Sequence, residues 1–431
     1  MRTAVVLFTR DLRVHDHPAL AAACATAERV VPLFVFDSRL GGRSANRDRF
    51  LRQSLDHLRA ALRERGGDLI VRYGDPVGEA IQLIRAVDAE GITLSADVSH
   101  YARRRERRLR VECERHRIAY RAFSGLTVVD PATLSPAGGG DHYKVFTPYH
   151  RAWSAAGWRA VCAPPERIRL PGGLATGRLP DLAAGESPRA AAGGEPAGHR
   201  RLGDWLANLD RYGDQHDDLA GDATSRLSPY LRFGCLSPLT VATAAGDRNG
   251  PFVRQLCWRD FYYQVAFAFP DLATTAYRRG ATEQWRYDSG ALDAWQAGRT
   301  GVPIVDAGMR QLRAEGWLHN RARLITAGYL TRELGLDWRD GLAWYARWLL
   351  DGDLPNNAGN WQWVAGTGND TRPHRRFNPL RQAHRFDPAG EYVRRWVPEL
   401  AGVDGPAVHE PWKLPDGLRR TLDYPAPLSD R

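Results

Sequence analysis

At 431 residues the chain has room for about two domains, and 43% apolar residues suffice for sizeable cores. Mean hydropathy is −0.46, and no run approaches the roughly 20 apolar residues of a membrane span, so a soluble protein is expected and a membrane partner is not. The formal charge of +10 favours a polyanionic partner such as nucleic acid.

Cys24, Cys113, Cys162, Cys235 and Cys257 are scattered. They show neither metal-ligand spacing nor a disulfide framework. No metal is expected, and a reducing, cytoplasmic setting is. The N-terminal MRTAVVLFTRDLRVHD reads as a strand followed by charges, not as a secretory signal.

In chain order, TAVVLF (3–8) and RVVPLFVF (29–36) are apolar, β-branched strand candidates. DHPALAAACATA lies between them as a helix with Pro near its start. Residues 52–65 have helical spacing, GGDLIVRYGDP gives turn, strand and turn, VGEAIQLIRAVDAEG a helix and ITLSADV a strand. Such alternation predicts a parallel α/β sheet over 1–128. No GxGxxG follows the first strand, so the dinucleotide-binding version is not indicated. The Arg run 103–110 reads as a solvated helix face. Residues 129–200 are predicted to be an interdomain linker, with 171–200 rich in Gly, Pro and Ala. From 201 to 431 the pattern is helical. DWLANLDRYG, PFVRQLCWRDFYYQVAFAFP, VPIVDAGMRQLRAEG, NRARLITAGYLTRELG and WRDGLAWYARWLLDG all place apolar residues three to four apart.

The fourteen tryptophans concentrate in this C-terminal half. Within it, DGDLPNNAGNWQW (351–363) sets two acids, paired amides and two indoles in thirteen residues. Polar groups buried beside indoles need partners, and a flat polar cofactor would supply them. A capped helix with surface Trp is the alternative reading of that stretch.

Six ordered motifs carry a resemblance: FTRDLRVHDHPAL, GDATSRLSPYLRFGCLSP (221–238), WRDFYY (258–263), GWLHNRARLI (316–325), DGDLPNNAGNWQW, and the tail VHEPWK with TLDYPAPL. Together they resemble the photolyase/cryptochrome family, most nearly its bacterial class I cyclobutane pyrimidine dimer (CPD) photolyases. The resemblance implies an N-terminal Rossmann-like α/β antenna domain, a long linker and a C-terminal helical FAD-binding domain. It implies light-driven repair, with an electron passing from excited reduced FAD to a dimer flipped out of UV-damaged DNA.

Residue by residue, it implies FAD contacts at Tyr212, at Thr224, Ser225, Arg226, Leu227 and Ser228, and at Asp351, Gly352, Asp353 and Asn357. Hydroxyls at a helix start suit a phosphate, although TSRLS alone also reads as a plain N-cap. Asn357 matches the amide facing the flavin N5, where plant cryptochromes place an acid. Trp361, Trp338 and Trp285 match an electron-transfer chain. Trp258 and Trp363 match the aromatic walls of the dimer pocket. Asn320, Arg321, Arg376, Arg381 and Gln382 match lesion or phosphate contacts.

Gln255 departs from the pattern, which usually has Glu there; an amide both donates and accepts but offers no carboxylate. Leu324 replaces a frequent Met, a mild change. A second, antenna chromophore is expected, an 8-hydroxy-deazaflavin or methenyltetrahydrofolate, near Phe8–Arg13, Phe36–Arg52 and 98–105. A monomer without an obligate protein partner is expected. The rival readings are a cryptochrome-like blue-light receptor, whose marker would be an acid at 357, and a (6-4) photoproduct enzyme, against which Asn320 argues.

Overall fold

The computed structural model describes all residues except 43, 137, 182–183, 248–249, 282–283, 370–376 and 429–431. The chain forms two compact units. The first comprises Met1–Gly185, Ala192–Ala207 and Ser225–Pro270, and the second Glu186–Ala191, Asn208–Thr224 and Asp271–Arg431.

The chain begins with β1 (Thr3–Phe8), α1 (Pro18–Thr26), β2 (Arg29–Phe36), α2 (Ala45–Glu64), β3 (Ile70–Tyr73), α3 (Pro76–Ala86), β4 (Gly91–Ser95), α4 (His100–Arg115) and β5 (Ala119–Phe123). All four strand pairings are parallel, in the order β3-β2-β1-β4-β5. The central strand β1 is buried at all six positions, which is why its sequence is a continuous apolar run. Helix starts are set by short polar caps. The His17 ring accepts from Leu20 N ahead of Pro18, Ser44 caps α2, and Asp75 caps α3 ahead of Pro76.

Two features depart from the sequence reading. The fifth strand, AYRAF, has no fully buried position and so carries no apolar run to mark it. The Arg-rich α4 does turn most of its cations outward, but it buries Arg105 with Ala102, Leu109 and Cys113, and Arg105 pairs with Glu106. Burial pushes the Glu106 carboxyl up to about 7.

Beyond the sheet come α5 (Phe146–Ala155), α6 (Glu195–Leu206), α7 (Tyr212–Gln215), α8 (Ser228–Phe233), α9 (Pro238–Ala245) and α10 (Pro251–Ala268). DWLANLDRYG is not one helix: it is the last turn of α6, a 3-10 turn at Leu209–Arg211, and the start of α7. Helix α6 opens in the Gly/Pro-rich segment, where no apolar periodicity announces it. Its first residue, Glu195, accepts from the backbone N–H of Val14 (2.9 Å) and His15 (3.0 Å).

The second unit continues with α11 (Ser289–Ala297), α12 (Pro303–Glu315), α13 (Asn320–Gly328), α14 (Trp338–Trp348), α15 (Leu354–Ala365), α16 (Pro379–Phe386) and α17 (Glu391–Trp396). Helix α13 runs directly into a π-helical turn at Tyr329–Glu333. Glycines in the left-handed conformation end α11, α12 and α15 at Gly298, Gly316 and Gly366. One apolar cluster unites these helices, with Trp295, Trp338, Trp348, Trp361 and Trp396 buried in it and Trp285 and Trp363 packed against it.

Candidate functional site

In the second unit the site is built on α14 and α15. Asp353 stands at the N-cap of α15, and Pro355 lies in its first turn. Asp353 does not cap the helix with its side chain; Asn356 Nδ2 donates to its Oδ2 at 2.6 Å. Asp351, buried, holds Arg323 Nη2 through both oxygens at 2.8 and 3.1 Å. One turn after Asp353, Asn357 donates through Nδ2 to the Leu342 carbonyl of α14 at 3.4 Å. Among the described residues its carbonyl oxygen accepts nothing. A half-buried amide with an open acceptor, with two buried carboxylates on the same stretch, is an acceptor-rich set that fits a polar ring system bearing N–H groups, as a flavin does.

Trp361 follows Asn357 by four residues and is 2% exposed. Its indole meets Tyr345 at 4.9 Å and Trp295 at 6.1 Å, both edge-on. Trp338 is the first residue of α14, with Asp337 capping it through a bond from Arg339 N at 2.9 Å. The loop bearing Trp285 is tied to the approach to α14, since Arg286 bridges Leu336 and donates to Gly335 O at 2.8 Å. The three indoles thus share one apolar cluster. Their N–H groups are buried and have no acceptor among the described residues. Gln362 fixes α15 from its far side. Its Nε2 donates to Leu272 O (2.6 Å) and Thr275 O (2.9 Å), and its Oε1 accepts from Tyr277 N (2.8 Å).

Other expected residues of this unit are dispersed. Tyr212 is buried and packs on His216, with burial raising its phenol pKa. Asn320 is exposed at the start of α13, where the N-cap is His319. Arg321 is engaged by Asp217 through two bonds, at 2.6 and 3.2 Å, and lies 4.2 Å over the Phe386 ring. Its charge is therefore already balanced. Trp363 packs on Phe377 at 5.6 Å. Gln382 is half-buried, with its carbonyl oxygen unpartnered among the described residues. Arg381 is exposed, and Arg376 lies outside the described residues.

The TSRLS turn spans the two units, Thr224 closing one segment and Ser225 opening the next. Here the plain N-cap reading fails locally. The N-cap of α8 is Leu227, without a side-chain bond; Ser225 Oγ instead accepts from Leu227 N at 3.4 Å. Arg226 is held at φ 52°, a left-handed conformation that is uncommon for a residue with a side chain.

In the first unit, Gln255 and Trp258 lie three residues apart on α10, hence on one face. Gln255 is exposed. Trp258 stacks flat on Phe146 of α5, ring centroids 3.6 Å apart and 3° from parallel, and Arg254 covers Phe146 at 5.0 Å. Phe146 escaped the sequence reading, because nothing local to FTPYHRAW predicts its stacking partner. Elsewhere in this unit His15, Glu195 and His199 bring ligand atoms within 4.8 Å of one another. Glu195 is already occupied by two backbone N–H groups and by His15 Nδ1 at 2.8 Å, so the group reads as a clamp from α6 to the β1–α1 loop.

Residues 4–166 match the family model described as DNA photolyase, and residues 252–431 that described as FAD binding domain of DNA photolyase. A deoxyribodipyrimidine photo-lyase of Streptomyces griseus is 48% identical over 100% of this chain and 97% of its own. A bacterial class III photolyase from Agrobacterium tumefaciens superposes with a TM-score of 0.94 at 32% identity, covering 100% of this chain and 95% of its own. An archaeal photolyase from Sulfolobus tokodaii, solved with two FAD molecules, gives 0.88 at 30% identity over 99% and 96%. With a relative this similar along its whole length, the chain belongs to the DNA photolyase family.

Proposed function

We propose that this protein is a deoxyribodipyrimidine photo-lyase, repairing cyclobutane pyrimidine dimers in UV-damaged DNA with blue light. One observation carries the reading: α15 presents the neutral amide of Asn357 one turn from a buried Trp361, in a cluster that also holds Trp338 and Trp285. FAD, when bound, supplies the light-driven electron. Asp351, Asp353 and Asn357 would hold and orient the FAD, and none of them would need to move a proton. The amide adds no negative charge where electrons must accumulate, which favours repair over a receptor role. Trp361, Trp338 and Trp285 form the route by which the cofactor is kept reduced.

On α10, Trp258 offers a flat apolar wall, braced by Phe146, on which a flipped dimer stacks. Gln255 on the same face reads the pyrimidine edges, donating with one atom and accepting with the other. Asn320, Trp363 and Gln382 are proposed as further lesion contacts. In the α/β unit the strand order reverses between β1 and β4, and their C-terminal ends are where such folds take a planar ligand. An antenna pigment is proposed there, beside the Arg10–Asp97 pair (3.2 Å). Among the described residues no helix is long and apolar enough to cross a membrane; a cytoplasmic monomer is the proposed working form.

The test is direct. The purified protein is photoreduced, mixed with oligothymidine carrying CPDs and illuminated with blue light. Recovery of thymine absorbance that needs both light and reduced flavin supports the proposal. No recovery from FAD-loaded, reduced protein overturns it, and the same assay on a (6-4) substrate then identifies the other lesion.

A further inference from the structure

The buried stripe of α14 runs Trp338, Gly341, Tyr345, Trp348, spaced three, four and three residues apart. Residues so spaced sit one above another on a helix face. Gly341 is the gap in that stripe. The backbone does not ask for glycine, since the position is helical, and a helix-interior glycine costs roughly 1 kcal/mol against alanine. The demand comes from Trp361. A Cβ added at Gly341 would stand 2.6 Å from Cζ2 of that indole and closer still to Cζ3 and Cη2. The ring has nowhere to retreat: it is buried, with Tyr345 at 4.9 Å and Trp295 at 6.1 Å. The indole therefore rests on the bare backbone of Gly341, between Trp338 one turn before and Tyr345 one turn after.

We propose that Gly341 is the positioning residue for the electron-transfer contact between Trp361 and Trp338. The missing side chain lets α14 and α15 close until the Trp361 ring meets the α14 backbone at Gly341, about one helical turn beyond the position that carries Trp338. This rests on the reading of Trp361 and Trp338 as electron donors, and the test separates the two ideas.

Three variants are compared with the parent: Gly341→Ala, Trp361→Phe and the double substitution. Three quantities are measured. They are the rate of FAD photoreduction with an external thiol, CPD repair by protein reduced beforehand with dithionite, and the thermal midpoint of the FAD-loaded proteins. The proposal expects Gly341→Ala to slow photoreduction roughly tenfold or more, since misplacing a reacting group by about 1 Å can cost up to about 100-fold. Repair by pre-reduced protein should be kept. The thermal loss from Gly341→Ala should shrink in the Trp361→Phe background, where the smaller ring leaves room for the methyl. Photoreduction that Trp361→Phe slows and Gly341→Ala leaves unchanged overturns the positioning role alone. Additive thermal losses do the same. Photoreduction untouched by Trp361→Phe overturns the donor reading and the proposal with it. Should Gly341→Ala not fold, folding of the double variant supports the contact, and failure of both overturns it.

Discussion

Asn357 and Gln255 are both neutral amides, proposed to meet the cofactor and the lesion. For Asn357 the consequence is electrostatic. Asn357→Asp adds a negative charge beside the site and makes reduction of bound FAD harder. Redox titration should show the two-electron midpoint more negative by roughly 30 mV or more, the equivalent of about 1.4 kcal/mol. For Gln255 the consequence is a pair of hydrogen bonds. Gln255→Ala should weaken binding of dimer-containing DNA about 30-fold while undamaged DNA is held as before, because each of the two net hydrogen bonds is worth about 1 kcal/mol; competition binding with the two DNAs checks this. Both candidates were read from their place in or beside the motifs. Tyr345 and Trp295, which enclose Trp361, were not: they lie sixteen and sixty-six residues before it, and only the packed helices bring the rings together.

Helices and strands were legible where burial is one-sided or complete. The apolar runs of β1 and β2 and the periodic α12 and α14 follow from that rule. β5 and the start of α6 did not show, because neither carries an apolar pattern; what holds α6 in place is the charge of Glu195. Burial works against that charge, but bonds from His15, His199 and the Val14 and His15 amides outweigh it and hold the carboxyl at about 2. A depressed pKa contributes stability that is present above the unfolded value, about 4.3, and lost as pH falls toward 2. The contribution is roughly 3 kcal/mol. Glu195→Gln should accordingly flatten the acid limb of a stability–pH curve below about pH 4, measured by denaturant titration. Gly234 tests a second junction. It ends α8 at φ 66°, and a Cβ there would meet Asp11 Cα at 2.5 Å and press on Arg10 O. Gly234→Ala should cost roughly 3 kcal/mol, from the strained φ and the backbone collision together.

For the molecule as a whole, the net charge of +10 predicts binding to DNA that weakens steeply with salt. Arg381 is exposed on α16, with no ion pair among the described residues. Arg381→Ala should weaken damaged and undamaged DNA alike and reduce the log–log salt slope by about one, read from binding isotherms at several salt concentrations. The three buried indole N–H groups have no acceptor among the described residues, and this would also decide what kind of charge the proposed route carries. An indole that gives up an electron becomes a strong N–H acid, yet at Trp361, Trp338 and Trp285 no base stands within reach among the described residues. The proton stays, the vacancy remains a cation, and each transfer can run backwards until solvent or an external reductant intervenes. The proposed route would thus carry electrons without protons, and its early steps should run equally fast in heavy and in ordinary water.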